Sequence, residues 1–385
     1  MKSYALITLC FLLEVGVYRV ARADLPDDFK RQFGIEAEYA SIGPRADQNV
    51  AEEFEKILEL VRSQFKGYGQ VTVHPWNKYS NAMGTIYASY RDPMGRIWEV
   101  APERVNPAAK KGWDGYEFIS PPLSTSEDHT VLENVIREVD RQKHFIPGAE
   151  SSNHISFDIS HLIKGDGNAA QLVDTIIFIE NHWPEIYTAI HPERMGGIVN
   201  SYTVPLAANQ KDLLNELGEL PRDHRSLDEV RSLFLRHAPR EAQIANNGVV
   251  KQWKYRSANY AKLLKIGYFA KDGVPIIEFR IPDLRDYPAM EKAIVLLGRV
   301  IERAHQIEPE AGFKDPFVSS TIDPDHPRRF HQLDEAIRQL DPERYKLFLN
   351  QLGLNPQDYP NFYHVEKAPN LFECLQKHLS EMYPH

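Results

Sequence analysis

Four short segments of the chain alternate between apolar and polar residues, and a period of two predicts β-strands with one buried face. The first is FGIEAEYA, in which Glu36 and Glu38 share one face while apolar side chains take the other. The others are YEFISPP, SNHISFDIS and PIIEFRIP. The apolar faces of these strands are expected to pack under helices. They include Ile155, Phe157, Ile277 and Phe279.

The opposite faces of the strands carry mostly ionisable side chains. Beyond Glu36 and Glu38 they include Glu117, His154, Ser156, Asp158, Glu278 and Arg280. One interpretation is a solvated face, which antiparallel strands commonly have. Two carboxylates on one face repel each other, however, and they become favourable beside Mg²⁺, which prefers oxygen ligands. The second interpretation is therefore a metal site on the concave face of a curved sheet, where Arg280 neutralises a phosphate or an acyl intermediate.

Helical spacing of apolar residues predicts helices between and after these strands. They cover residues 47–65, 126–142, 169–190 with a break near Pro184, 209–220, 227–236, 288–307, 330–340, 342–352 and 371–383. Residues 258–264 are either helical or extended. A hairpin is predicted over residues 84–100, because two runs of strand-forming residues flank the turn sequence DPMG. The elements do not repeat as strand–helix–strand units, so an α+β fold is predicted rather than a doubly wound sheet.

Composition narrows the range of functions. The chain has 385 residues and a formal net charge of −9, without a block of basic residues. Such a chain is a poor candidate for binding nucleic acid or an anionic membrane. Its two cysteines, Cys10 and Cys374, are too few for a zinc cluster or a disulfide scaffold.

The first 23 residues resemble a secretory signal. Lys2 precedes an apolar run over residues 5–17, and Ala21-Arg22-Ala23 has the small-x-small pattern of a cleavage site. We therefore expect a signal peptide over 1–23 and a secreted or periplasmic protein, with no membrane association after cleavage. Glu14 interrupts the apolar run, and a first core helix or an anchor is the alternative interpretation.

Five stretches occur in an order that resembles the amidoligases, a family related to glutamine synthetase and glutamate–cysteine ligase. They are FGIEAEYA, YEFISPPLS, NHISFDIS, KYRSANY and VPIIEFR, between about residues 33 and 283. The resemblance implies a curved antiparallel sheet of the glutamine synthetase type with outer helices. It also implies ATP- and Mg²⁺-dependent joining of a carboxylate to an amine through an acyl phosphate. The expected catalytic domain covers 24–284, with a helical region over 285–385 packed on it.

The resemblance also implies roles for individual residues. Implied metal ligands are Glu36, Glu38, Glu117 and Glu278. Implied nucleotide- or substrate-binding residues are His154, Asp158, Asn259 and Arg194. Implied catalytic residues are Arg280, Arg256 and Glu103. One position departs from the family pattern His-x-His-x-Asp: Ser156 replaces the second histidine, and serine is a poor metal ligand.

Several functions remain open on the sequence alone. The implied substrates are a small-molecule amine and a carboxylate or peptide. A secreted ligase meets little ATP, so the signal is misread, another cell supplies the ATP, or the chemistry is not ATP-driven. The alternatives are an ATP-independent amide hydrolase or transferase and a non-catalytic peptide- or carboxylate-binding protein. The motifs G-x-S-x-G and H-E-x-x-H are absent, which weighs against common hydrolases, whereas Ser156 favours lost catalysis.

Overall fold

A computed structural model describes most of the chain between residues 32 and 359. The described residues are 32–41, 49–74, 88–103, 115–141, 145–146, 152–190, 205–208, 210–237, 258–260, 275–282, 287–307, 312–316 and 339–359. Several predictions lie outside them. These are the signal segment 1–23, Arg194, Arg256, the helix at 371–383 and most of the helix at 330–340.

The described residues form one open antiparallel sheet and surrounding helices, which confirms the predicted mixture of α and β elements. The strands are β1 (Phe33–Ser41), β2 (Val71–Val73), β3 (Ala88–Arg91), β4 (Ile97–Glu103), β5 (Gly115–Ile119), β6 (Phe145–Ile146), β7 (Ser152–Asp158), β8 (Ala258–Asn259) and β9 (Ile276–Pro282). Their order across the sheet is β2-β3-β4-β5-β1-β7-β9-β8, with β6 paired to the end of β1. The FGIEAEYA segment is therefore a central strand, between β5 and β7.

The α-helices of the described part follow the predicted segments within a few residues. They are α1 (Asn49–Gln64), α2 (Ser126–Arg141), α3 (Ala170–Asn181), α4 (Trp183–Ile190), α5 (Lys211–Glu219), α6 (Leu227–Arg236), α7 (Tyr287–Ile307) and α8 (Pro342–Gln351). The segment predicted over 169–190 divides at His182, because Pro184 has no backbone N–H and is accommodated in the first turn of α4. None of the helices in this set is long and apolar enough to cross a membrane.

The apolar face of the sheet packs against helices, as predicted. Ile155 pairs with Ile35 on β1 and with Phe279 on β9. These side chains belong to one hydrophobic core that includes residues of α1, α2 and α7, and Phe157 and Ile277 are buried in the same core. The burial of this face leaves the opposite face of the same strands to carry their polar side chains.

The predicted hairpin is formed by β3 and β4. The Asp92 carboxylate accepts hydrogen bonds from the backbone N–H groups of Met94 and Arg96 at 2.9 and 3.0 Å. Gly95 has a φ of 81°, a conformation that favours glycine. Strands β2 and β6 are three and two residues long. Such short strands are too short to show an alternation of apolar and polar residues, so the sequence pattern does not predict them.

Residues after the predicted boundary at 284 pack on the preceding part. Helix α7 lies against α3 and α4 and also contacts β7. Arg344 of α8 pairs with the buried Glu185 of α4, with 2.6 Å between Nε and Oε1. These contacts agree with a helical region that packs on the outer helices. The division of the chain into 24–284 and 285–385 stays a prediction.

Candidate functional site

The antiparallel register places ionisable groups of three neighbouring strands side by side. Glu36 on β1 lies opposite His154 on β7, and His154 lies opposite Arg280 on β9. Residues that face each other across an antiparallel pair point to the same side of the sheet. The three side chains therefore form a row across the centre of the polar face.

Flanking rows carry the remaining glutamates. On one side, Glu38 lies opposite Glu117 of β5. On the other side, Glu278 lies opposite both Ser156 and Asn259. The three rows together form one site from residues that are separated by more than 200 positions in the sequence.

The Ser-Pro-Pro stretch after β5 helps to fix this register. The Ser120 hydroxyl accepts a hydrogen bond from the backbone N–H of Ile35 at 2.8 Å, and the Ser120 N–H donates to the Ile35 carbonyl at 2.8 Å. Pro121 then has no N–H with which to continue the ladder. The strand pair β1–β5 is thereby held in the register that sets Glu117 opposite Glu38.

His154 lies beneath the carboxylates and contacts several of them. Its Nδ1 atom is 2.7 Å from Oε2 of Glu36 and its Nε2 atom is 3.4 Å from Oε1 of Glu38. Its side chain is only 2% exposed, whereas that of Glu36 is 23% exposed. A histidine that was predicted to bind nucleotide or substrate thus bridges the predicted metal ligands from below.

Glu278 and Arg280 form the other buried half of the site. Arg280 Nε lies 3.2 Å from Glu278 Oε1, and the side chains are 8% and 1% exposed. The Asn259 side-chain amide donates to the same Glu278 oxygen at 2.9 Å. Asn259 is fully buried, so this hydrogen bond holds the carboxylate in a fixed position.

The electrostatics of the site are dominated by carboxylates. Burial lowers the pKa of Arg280, but the negative charges of four glutamates outweigh it, so its pKa is raised overall. These glutamates are Glu278, Glu38, Glu36 and Glu117. One guanidinium cannot balance four buried or half-buried carboxylates, and an excess of negative charge in a low-dielectric environment is unfavourable without further cations. A fully solvated face, the first interpretation of the pattern, does not describe four glutamate side chains that are between 1% and 23% exposed.

The acidic residues fit a divalent cation. Two groups each present three ligand atoms within 4.8 Å of one another: Glu36, His154 and Glu278 form one group, and Glu38, Glu117 and His154 form the other. Octahedral Mg²⁺ binds oxygens at about 2 Å, so small side-chain movements would bring either set to ligand distances. Carboxylate oxygens are the majority in both groups, and this composition suits Mg²⁺ or Mn²⁺ better than a thiolate-seeking metal.

Other predicted residues lie at the margin of this cluster or beyond the described part. Asp158 is at the end of β7, about 13 Å along the strand from His154, and its carboxylate accepts hydrogen bonds from the Ser160 N–H and hydroxyl. Glu103 ends β4 opposite Gly115, and only its backbone is described. The roles assigned to Asp158 and Glu103 stay predictions, as do those of Arg194 and Arg256.

One acidic residue of the same face was missed by the sequence reasoning. Glu99 lies opposite Ile119, which in turn lies opposite Glu36, so Glu99 extends the central row towards β3. The signal was present in the sequence, because Glu99 stands between the apolar residues Trp98 and Val100. The turn sequence predicts the hairpin, and alternation within β4 assigns Glu99 to its polar face.

Comparison with known proteins gives a match to a protein family over most of the chain. Residues 29–301 match the model of a family described as "Putative amidoligase enzyme". The matched range includes every strand of the sheet and most of α7. No curated protein matches the chain.

Proposed function

Because the chain belongs to the amidoligase family, we propose that it is an ATP- and Mg²⁺-dependent ligase that joins a carboxylate to an amine through an acyl phosphate. The open antiparallel sheet would then be of the glutamine synthetase type, with the carboxylate cluster on its catalytic face. The substrates would be a small-molecule amine and a carboxylate or peptide.

The observation that carries the proposal is the excess negative charge of the cluster. Glu38 and Glu117 face each other directly, and Glu36 and Glu278 are held nearby around His154. Such an arrangement costs free energy in a protein without cations, because like charges directly opposite on a sheet repel. It becomes favourable when divalent cations and their phosphate ligands are bound. A purely structural role does not account for this concentration of carboxylates.

The metal would be held by the two groups that surround His154. Glu36 and Glu278 are candidate ligands on one side, and Glu38 and Glu117 on the other. When bound, Mg²⁺ supplies neutralisation of charge on the β- and γ-phosphates of the nucleotide. His154 would keep the carboxylates oriented through its bond to Glu36.

Arg280 would bind the phosphoryl group that is transferred. Its guanidinium is positively charged, buried and anchored by Glu278. In the first step, an oxygen of the acid substrate attacks the γ-phosphorus, and the bond between that phosphorus and ADP breaks. In the second, the amine nitrogen attacks the carbonyl carbon and phosphate leaves with the electrons of the carbon–oxygen bond. Arg280 would stabilise the negative charge that develops on the phosphoryl oxygens in both steps.

The site of action is part of the proposal. We propose that residues 1–23 are removed as a signal peptide. Residues 24–284 would then act as the catalytic domain of a secreted or periplasmic protein. ATP is scarce in these compartments, so a ligase exported there would need a compartment or a recipient cell that supplies it.

The test is release of ADP by the purified chain without residues 1–23. The reaction would contain ATP, Mg²⁺, pooled amino acids and peptides. One control would contain N-acetylated amino acids as the only substrates, so that no amine is present, and another would omit Mg²⁺. ADP release that requires an acid, an amine and Mg²⁺ together is the expected result. Amide cleavage without ATP would instead indicate a hydrolase or transferase. Substrate binding without turnover, measured by calorimetry, would indicate a binding protein and would agree with the departure at Ser156.

A further inference from the structure

The polar face of the sheet continues beyond the carboxylate cluster towards β2. Ser89 on β3 lies opposite Glu99 on β4, and Thr72 on β2 lies opposite Ser89. These residues stand in the same row as Glu36 and His154, because each strand pair is in register. The neighbouring residues Ala88, Tyr90, Trp98 and Val100 are buried on the opposite face. The row therefore offers a second polar patch on the surface that carries the proposed metal site.

The geometry of the sheet sets the separation of the two patches. Glu99 is two strands from Glu36, about 10 Å at the usual strand spacing. It is also the diagonal neighbour of Glu117, because Glu117 lies two residues before Ile119, the residue opposite Glu99. Diagonal neighbours lie about 7–8 Å apart. This distance is large enough for a substrate between the patches and short enough for one reaction centre.

Glu99, Ser89 and His74 make up the second patch. His74 Nε2 lies 3.0 Å from the Ser89 hydroxyl oxygen, within hydrogen-bonding distance. Glu99 is half-buried and has no hydrogen-bond donor or ion-pair partner among the described residues. Burial raises the pKa of Glu99, and the nearby His74 ring lowers it by a smaller amount. Burial of the charged carboxylate has a cost that the His74 ring offsets only in part, and a cationic ligand would reduce it further.

We propose that Glu99, with Ser89 and His74 beside it, forms the subsite for the amine substrate and that Glu99 accepts the proton of the incoming ammonium group. The ligand class is a primary ammonium compound. The inference rests on the proposed ligase function, because the carboxylate cluster must supply the activated acid.

The proposed step follows from the chemistry of amines. A protonated amine has no lone pair, so it must lose a proton before it can attack a carbonyl carbon. Glu99 first binds the ammonium group and then takes one proton from it. The neutral nitrogen attacks the acyl phosphate, the carbon–oxygen bond to phosphate breaks, and the departing phosphate takes the second proton as the amide forms. General-base catalysis of this kind contributes about 10²–10⁴-fold to a rate.

A comparison of two kinds of nucleophile tests the subsite. Hydroxylamine is a much weaker base than an alkyl amine and is mostly neutral near pH 7, so its reaction needs a proton acceptor far less. The assay would measure ADP and product formation by the wild type and Glu99→Gln. The nucleophiles would be hydroxylamine, methylamine and glycinamide. The acyl donors would be pooled carboxylic acids and N-acetylated amino acids, so that no other amine is present.

The expected result is a change in preference between the nucleophiles. In Glu99→Gln, turnover with methylamine and glycinamide should fall about a hundredfold, and the ratio of hydroxylamine turnover to amine turnover should rise at least about tenfold. Ser89→Ala, which keeps the carboxylate, should change the ratio in the same direction by less. The matched control is Glu127→Gln, at an exposed position of α2.

The outcomes separate the subsite from the ligase function. Equal losses with all three nucleophiles in Glu99→Gln, with thermal unfolding unchanged, would overturn the subsite and leave the ligase function standing. If Glu99→Gln did not fold, Ser89→Ala would be the test. An unchanged ratio of hydroxylamine turnover to amine turnover in that variant would overturn the subsite. A wild type that forms no product with any nucleophile would overturn the ligase function and the subsite together.

Discussion

Glu38 and Glu117 occupy directly opposite positions on the central strand β1 and its neighbour β5. His154 lies beside both, with 3.4 Å from its Nε2 to Glu38 and 3.8 Å from its Nδ1 to Glu117. Because opposed carboxylates repel, this pair lowers the stability of the protein when no cation is bound. A loss of charge at Glu38 should therefore raise the stability of the protein without metal and weaken the proposed metal site.

Replacement of Glu36 and Glu38 by glutamine should abolish Mg²⁺-dependent binding of ATP. The double variant keeps the size of both side chains and removes two negative charges from the cluster. Without Mg²⁺, its melting temperature should be higher than that of the wild type, because the repulsion from Glu117 and Glu278 is reduced. Isothermal titration calorimetry and thermal unfolding, each with and without Mg²⁺, would measure the two effects.

A second double variant provides the matched control. Glu127→Gln with Glu133→Gln removes two charges from the outer helix α2, and it should bind Mg²⁺ and ATP as the wild type does. If Mg²⁺-dependent ATP binding survived unchanged in Glu36→Gln with Glu38→Gln, the carboxylates of β1 would not be the metal ligands.

Much of the site could be predicted because strand alternation is a local property. In FGIEAEYA and PIIEFRIP, the positions of Glu36, Glu38, Glu278 and Arg280 relative to their apolar neighbours determine which face each side chain takes. The burial of Ile155 and Phe279 on the opposite face confirms that reasoning. Helix positions were predictable for the same reason, since the apolar spacing repeats within each segment.

The order and register of the strands could not be derived from alternation. They depend on contacts between distant segments, such as the pairing of Glu278 with Asn259 and of Glu36 with His154. The bridging position of His154 follows only from this register. Alternation assigns Glu99 to the polar face of β4, but its closeness to the site depends on β4 lying next to β5.

The second prediction concerns acid stability and rests on His129. Burial lowers the pKa of this histidine from 6.5 to about 4, and the nearby Asp128 raises it by a smaller amount. The Tyr287 hydroxyl donates to the His129 carbonyl at 3.1 Å and lies 3.2 Å from its Nδ1. The hydroxyl oxygen can therefore accept from Nδ1–H, and Nε2 has no partner among the described residues. A second ring proton would thus be buried without an acceptor.

The sign of the pH effect follows from this lowered pKa. Below pH 6.5 the unfolded chain binds a proton at His129, whereas the folded protein does so only below about pH 4. Stability should therefore fall as the pH decreases through this window, by about 3 kcal/mol from this residue. Urea unfolding between pH 4 and 7 would measure it, and His129→Phe should have a shallower slope. The exposed His224 is the control, and an equally shallow slope in His224→Gln would contradict the assignment.

The third prediction concerns export. Lys2, the apolar run over 5–17 and Ala21-Arg22-Ala23 predict cleavage after Ala23. Mass spectrometry of the protein from its native source should identify Asp24 as the N-terminal residue. Recovery of a protein with an intact Met1 or Lys2 from a soluble cytoplasmic fraction would contradict export. A ligase in that fraction would have ATP available.

The last prediction distinguishes two roles for Arg280. As a structural counter-charge, it would only balance Glu278, from which its Nε lies 3.2 Å. Lysine carries the same charge and could serve that purpose. As a ligand of the transferred phosphoryl group, it must present the planar fork of the guanidinium, which an ammonium group does not reproduce. The two roles therefore give different results for Arg280→Lys.

The ligase function predicts that Arg280→Lys folds with a melting temperature close to that of the wild type and loses turnover on the order of a hundredfold. The melting temperature should be preserved because the positive charge among the four glutamates is retained. The matched control is Arg141→Lys, since Arg141 forms an exposed pair with Glu138 and should tolerate lysine. Normal ADP release by Arg280→Lys would assign Arg280 a structural role. A large fall in melting temperature with normal turnover per folded molecule would lead to the same conclusion, because the guanidinium would then be needed for the fold and not for the transferred phosphate.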